Sequence, residues 1–417
     1  MRECKFTKNC SKYPIYRSRF FGDSYSLDSA HLIQSNMNAS IKTALDEHGR
    51  DARIFLVLGI ANWFIFVDHI PNNAVNLLTL RNFGFSGAAD LFIFTAGYAA
   101  AILYGKMALE RGLIVAMTRI LKRVWQLYAA YVVMFVLYVD VIGSVAVQYA
   151  APDIIDEYNV IGIVGDPTRT LLHGLLLQAT PLNLDSLQLL ITLMAVFPLA
   201  LASMLRWPKL TLIGSITLYL AARQFDLYVA AFPEGRWHFN PFCWQLLFVL
   251  GAWFALQGTR QVHAWQQLPI LRQLALAYLL FALVITVAGK VPQLGSMIPD
   301  ALLGHFTPAD RENLAPHRLL NTLALAFLFT YLVPHDWKGL HAKPLQAIMK
   351  CGEEWLPCFC AGVFLSFAGH LVLITGPNSL TMQVLVSAAG IAMMAAVAYY
   401  VSWSRLQDHR PALKAKA

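Results

Sequence analysis

The chain has 417 residues, 57 % of them hydrophobic and 13 % charged, with a mean hydropathy of +0.52. These values exclude an ordinary soluble domain and predict an all-α integral membrane protein, a polytopic bundle of about ten transmembrane helices in a lipid bilayer. The net charge of +8 sits mostly in short clusters beside apolar runs, so it reads as topology information and not as a nucleic-acid footprint.

Residues 1–50 are polar and irregular, with Lys5, Lys8, Lys12, Arg17 and Arg19 and no apolar core suited to a cleaved signal. They read as a partly disordered cytoplasmic tail. A mis-assigned start codon is the other reading of the first thirty. The membrane domain is expected at 51–404, and 405–417 as a second cytoplasmic tail. Residues 53–70 and 88–105 form the first two spans. Lys106, Arg111, Arg119, Lys122 and Arg123 follow, against the single acid Glu110, and the positive-inside rule makes this strongest basic loop cytoplasmic. Span 1 then begins inside, and His69 lies near its outer end.

Span 3 covers 124–147. The next loop carries Asp153, Asp156, Glu157 and Asp166 with Arg169 as its only basic residue, as expected outside. Residues 170–181 are too short to cross and stop at a proline, so they read as an interfacial or re-entrant helix. Span 4 is 183–205, with Asp185 near its outer end. Span 5 is 210–231, where Arg223 and Asp226, three residues apart, share a helical face on which they would pair. Spans 6 to 10 are 241–256, 273–289, 317–333, 355–377 and 381–403. The outer loop 290–316 has mixed charge. Ten spans with both ends inside satisfy the charge rule at every strongly basic loop, and no fixed-period repeat interrupts them.

Ionisable groups are expensive in hydrocarbon, so those near the facing ends of spans 1 and 2 are the candidates for chemistry. His69 comes first: a neutral imidazole takes a proton from an alcohol as its oxygen attacks a carbonyl. The other reading is a helix-end histidine bonded to a backbone carbonyl. Asp68 is adjacent, and neighbours in a helix do not face each other, so it orients His69 only if the helix frays at Pro71. Otherwise it caps local backbone or binds Arg81. Arg81 and Asn82 suit anion or sugar contacts, or a solvated outer surface. Asp90 is either a first-turn helix acid or an acceptor for a sugar hydroxyl. Gly97 marks close helix packing rather than a ligand site. Trp237, His238 and Asn240 have the residue types of a carbohydrate edge, although an interfacial aromatic belt also explains Trp237. The six cysteines, Cys4, Cys10, Cys243, Cys351, Cys358 and Cys360, match no zinc spacing. Gly-rich phosphate loops, a nucleophile elbow and clustered metal ligands are absent, so neither a metal nor a permanently bound cofactor is expected.

Several stretches together carry a family resemblance. They are Asp68-His69-Ile70-Pro71, Thr79-Leu80-Arg81-Asn82-Phe83-Gly84-Phe85-Ser86, and Ala89-Asp90-Leu91-Phe92-Ile93-Phe94 with Gly97-Tyr98. Others are the stretch from Pro181 to Asp185, Phe239-Asn240-Pro241-Phe242 with Trp244-Gln245, and Asn313-Leu314 with Arg318-Leu319. Over about residues 50–400 the chain resembles the OpgC family, membrane acyltransferases of osmoregulated periplasmic glucan modification within the acyltransferase-3 superfamily. The resemblance implies ten spans in a bacterial inner membrane and an acyl-coenzyme A donor, with succinyl the family's named group. It implies a periplasmic glycan acceptor, the glucan-synthesis machinery as partner, His69 with Asp68 as catalytic residues, and Arg81, Asn82, Asp90, Trp237 and Asn240 toward substrate. The sequence departs from the family pattern at Phe55 and Leu58, where an aspartate and an arginine are usual, at Ala96 for a serine, at Gly352-Glu353-Glu354-Trp355-Leu356, and at Asp90 for a glutamate. Arg53, five residues before Leu58, is an imperfect stand-in for that arginine. A transporter or flippase of a lipid-linked or acyl species, with His69 and Arg81 lining its path, is the competing reading. A catalytically silent membrane component of polysaccharide assembly is the third.

Overall fold

Inside a bilayer every backbone N–H must bond within its own segment, so the apolar runs are expected as helices. The computed structural model describes residues 51–148, 153–160, 166–179, 181–306 and 310–408, and these form an all-α membrane protein with only two isolated β-bridges. The predicted tail 1–50, with Cys4 and Cys10, lies outside the described residues, as do 409–417.

Helix α1, Ala52–Asp68, is capped by Asp51, whose carboxylate accepts from the Arg53 N–H at 3.0 Å. It ends three residues before Pro71, which has no N–H to continue the ladder. Two 3₁₀ turns, Ala74–Leu78 and Leu80–Asn82, lead into α2, Ala88–Arg111. Gly112, at φ +94°, then turns the chain directly into α3, Leu113–Gln148. The basic stretch expected as a loop is therefore two helix ends hinged on one glycine: Lys, Arg, Met, Ala and Leu all favour helix, and only Gly112 breaks it.

Short helices α4, Asp153–Glu157, and α5, Pro167–Leu175, precede α6, Asp185–Arg206, and α7, Pro208–Gln224. Helix α8, Pro241–Trp253, continues through a π-turn, Phe254–Gly258, into α9, Thr259–Gln266. Then come α10, Pro269–Ala288, the one-turn α11, Pro292–Gly295, α12, Asp300–Phe306, and α13, Pro316–Leu332. The chain closes with α14, Lys343–Glu353, α15, Trp355–Thr375, and α16, Leu380–Asp408. Among the described residues, seven helices, α2, α3, α6, α8 with its π-turn, α10, α15 and α16, are long and apolar enough to cross a membrane. The other three expected spans, α1, α7 and α13, are helices of 17 residues each, about 25 Å of rise.

The expected pairing of Arg223 with Asp226 is wrong. Helix α7 stops at Gln224, and Asp226 sits at φ +50° in the turn that ends it, so the two residues do not share a helical face. Arg223 instead bonds Asp310, 3.2 Å away, and the Asn313 carbonyl, 2.8 Å away. Asp226 accepts two 2.6 Å hydrogen bonds from Arg236. These hold its carboxyl below the usual range.

Two close helix crossings set the frame of the site. A Cβ at Gly97 of α2 would stand 2.1 Å from the Phe248 carbonyl oxygen of α8, and one at Gly251 would stand 2.1 Å from that of Phe94. Likewise Gly59 of α1 and Gly352 of α14 press against each other's backbones. Bare glycines let the chains touch, so Gly97 has the packing role expected of it. The largest core cluster lies among α2, α3, α6 and α8.

Candidate functional site

The polar groups collect at one end of the bundle. The C-terminal end of α1, the first turns of α2, α6 and α13, the end of α10 and the loops around His238 and Arg311 enclose a cavity of about 880 Å³. Asp68, His69, Arg81, Asp90, Asp185, His238, Lys290, Arg311 and Arg318 supply its charged and titratable lining. The first turn of a helix is where unpaired N–H groups favour a carboxylate, which suits Asp90 and Asp185.

His69 caps α1. Its Nδ1 lies 2.6 Å from the Ile65 carbonyl oxygen, and its backbone N–H donates to the same oxygen at 3.2 Å. A carbonyl only accepts, so in a neutral imidazole the proton is on Nδ1 and the lone pair on Nε2. The two sequence readings of His69 are thus compatible: the backbone contact of a helix-end histidine fixes the tautomer a base needs. Asp68 does not orient the imidazole. It accepts from Thr79 Oγ1 at 2.6 Å and pairs with Arg81 Nε at 3.3 Å, tying the 70–87 turn to α1.

Asp90 is fully buried. One oxygen accepts from the Gly87 N–H at 2.8 Å and from Arg318 at 2.5 Å; the other has no partner. Arg318, in the first turn of α13, is 6 % exposed. The pair joins α2 to α13 across the floor of the cavity.

The remaining expected site residues separate from the cavity lining. Asn82 is buried, donates to the Asn76 carbonyl at 2.5 Å and accepts from Lys290, so it braces the turn. Asn240 caps α8 and donates to the Leu227 carbonyl at 2.6 Å and to Asn313 Oδ1 at 2.8 Å. Trp237 is buried beside an adjoining hollow of about 660 Å³ that shares Leu182, Asp185 and His238 with the main cavity. Of the expected carbohydrate edge, only His238 reaches the main cavity itself. Leu58 is buried in the apolar core. Arg53 is at the far end of α1 from His69, bound to Asp51 and to the Val333 carbonyl, so it does not serve the His69 cavity.

Three lining cations were not among the expected site residues: Lys290, Arg311 and Arg318, of which only Arg318 was named, as part of the family resemblance. Arg318 had a readable signal, since an arginine in the first turn of an apolar helix requires a buried partner. Arg311 had none, because in sequence it is one charge among several in a mixed loop. Among the described residues, no group of three or more His, Cys, Asp or Glu side chains is placed to hold a metal ion.

No curated protein matches the chain. A family model described as OpgC protein matches residues 50–406, most of the chain, and the protein therefore belongs to the OpgC family.

Proposed function

We propose that this OpgC-family chain is a membrane O-acyltransferase, moving an acyl group from a coenzyme A-type thioester to a glycan hydroxyl at the outer face of the cytoplasmic membrane. The observation that carries this reading is the His69 imidazole, with Nδ1 engaged by Ile65 and the Nε2 lone pair free, on the wall of a polar cavity in an otherwise apolar bundle.

In this reading an acceptor hydroxyl hydrogen-bonds to Nε2, about 2.6–3.2 Å away. As its oxygen attacks the thioester carbonyl, the proton passes to Nε2. The tetrahedral adduct collapses, the C–S bond breaks, and the thiolate leaves with the proton returned by the imidazolium. Cationic side chains of the cavity steady the developing oxyanion. Asp68 and Asn82 hold Arg81 and Lys290 in place, and the buried Asp90 does the same for Arg318. His238 and the Trp237 hollow suit a longer stretch of glycan.

The test uses purified protein in nanodiscs with radiolabelled acyl-coenzyme A and a neutral glucan. A new alkali-labile ester on the glucan is the expected result. Movement of label across proteoliposomes without any ester would instead establish transport, and neither ester nor movement would leave a silent component.

A further inference from the structure

The charges around the main cavity do not cancel. Arg81 is matched by Asp68 at 3.3 Å and Arg318 by Asp90 at 2.5 Å, while Asp185 faces His238 at 3.9 Å. Lys290 and Arg311 have no carboxylate within 4 Å among the described residues, although Asp68 lies near both and Asp90 near Arg311. Lys290 meets the Asn82 amide oxygen, and the Arg311 guanidinium has no hydrogen-bond or ion-pair partner among the described residues. Both line the cavity. Both are lowered from their ordinary pKa, first by desolvation and then by like charges, Arg81 acting on Lys290 and Arg318 with Arg81 acting on Arg311, against the opposing pull of Asp68 on both and of Asp90 on Arg311. Both side chains are exposed to the cavity, and cations that share one cavity lining favour incoming negative charge there.

The Arg311 backbone is also held firmly. Buried Trp244 donates from Nε1 to the carbonyls of Arg311 at 3.0 Å and Glu312 at 3.2 Å, and the Asn240 N–H donates to the Glu312 carbonyl at 2.9 Å. Arg223 donates to the next carbonyl, that of Asn313, at 2.8 Å. The guanidinium is presented from a fixed loop, which lowers the cost of holding a ligand. A planar fork beside a compact ammonium is suited to a carboxylate or phosphate group.

We propose that Arg311 and Lys290 form an oxyanion-binding subsite that takes a carboxylate- or phosphate-type group on one of the two substrates and selects that charged substrate over its neutral isostere. The subsite stands on the cavity alone; only the identity of the substrate bearing the anion rests on the acyl-transfer reading. The anion has two possible sources, the distal carboxylate of a dicarboxylic acyl group or a phosphate substituent on the glycan.

The first arm of the test needs no turnover. Full-length protein in zwitterionic nanodiscs is titrated with succinate and with inorganic phosphate at constant ionic strength against chloride, reading thermal stabilisation and tryptophan fluorescence. Wild type should bind at least one anion saturably. Arg311→Gln and Lys290→Gln should each weaken that binding roughly tenfold to hundredfold, the usual worth of a charge-assisted hydrogen bond. Arg311→Lys should retain more than Arg311→Gln. The second arm compares succinyl- with butyryl-coenzyme A on neutral glucan, then neutral with phosphate-substituted glucan using one neutral donor. In the Gln variants the charged-to-neutral ratio of kcat/KM should fall at least tenfold in one comparison, and that comparison names the source. Binding no stronger than chloride in wild type would overturn the subsite, as would equal losses for charged and neutral substrates. If neither donor is used at all, the anion titration still decides the subsite, and only the acyl-transfer reading fails.

Discussion

An imidazole with one nitrogen committed to a backbone carbonyl has a single place to take a proton, and at His69 that place is Nε2. His69→Ala and His69→Gln are both expected to lower acyl transfer by roughly 10²- to 10⁴-fold while the protein still accumulates and elutes as wild type does. The glutamine variant is the sharper one, since an amide hydrogen-bonds but takes no proton; wild-type turnover in that variant would remove His69 as the base. The buried Asp90–Arg318 pair has a different signature. Breaking a buried pair leaves one charge uncompensated, typically a loss of about 3–5 kcal/mol. Arg318→Met alone should therefore lower the melting temperature of the detergent-solubilised protein more than Arg318→Met combined with Asp90→Asn. Equal melting of wild type and both variants would mean that water reaches the pair. At this scale the sequence showed His69 and the Asp68–Arg81 option, because those residues are close along the chain. Arg318, which lies 228 positions from Asp90, and Arg311 become legible only when α13 and its loop fold back over α2.

Elements were the most readable level, because in hydrocarbon an apolar run has few alternatives to helix. Their ends were not. The run after Gln224 is apolar as far as Phe232 apart from Asp226, yet α7 stops at Gln224. Asp226 turns left-handed, Arg236 holds it, and the Trp237 N–H returns to the Val229 carbonyl at 3.0 Å. That hairpin carries His238 to the cavity, so an uninterrupted helix would have removed part of the wall. Gly97, in contrast, was legible, and its crossing with α8 is testable. Gly97→Ala places a methyl against backbone, which cannot swing aside as a side chain can, and overpacking of this kind costs typically about 1–3 kcal/mol. The variant should melt lower and also lose activity, since α2 starts beside Asp90 and α8 beside the His238 loop. Gly143→Ala is the internal control: nothing lies within 4 Å of its would-be Cβ, so helix propensity alone acts and stability should hold or rise slightly. A lower melting temperature for Gly143→Ala equal to that of Gly97→Ala would indicate a general intolerance of α-helical substitution and not a close crossing.

For the whole molecule, the question is which side of the bilayer the cavity faces, and charge decides it. The cavity end holds the junction of α1 with α2, and the other end of α2 carries Lys106 and Arg111 before the Gly112 hinge. Helix α2 has 24 residues, about 36 Å of rise, enough to separate the two ends across a hydrocarbon core of about 30 Å. Basic residues near span ends stay in the cytoplasm, so the cavity is expected to open outward, toward a glycan. Single cysteines test this in a background where Cys4 and Cys10 are serine; the described cysteines are buried or half-buried, which limits their reaction. A membrane-impermeant maleimide added to intact cells should label Ala74→Cys, on the exposed turn beside the cavity, and Asp156→Cys, on the exposed face of α4. Arg111→Cys is equally exposed in the fold but should label only after permeabilisation. The reverse pattern would turn the cavity toward the cytoplasm and place any acceptor there. Labelling of all three in intact cells would mean that the expected inside and outside do not alternate across α2, and the charge argument would fail with it.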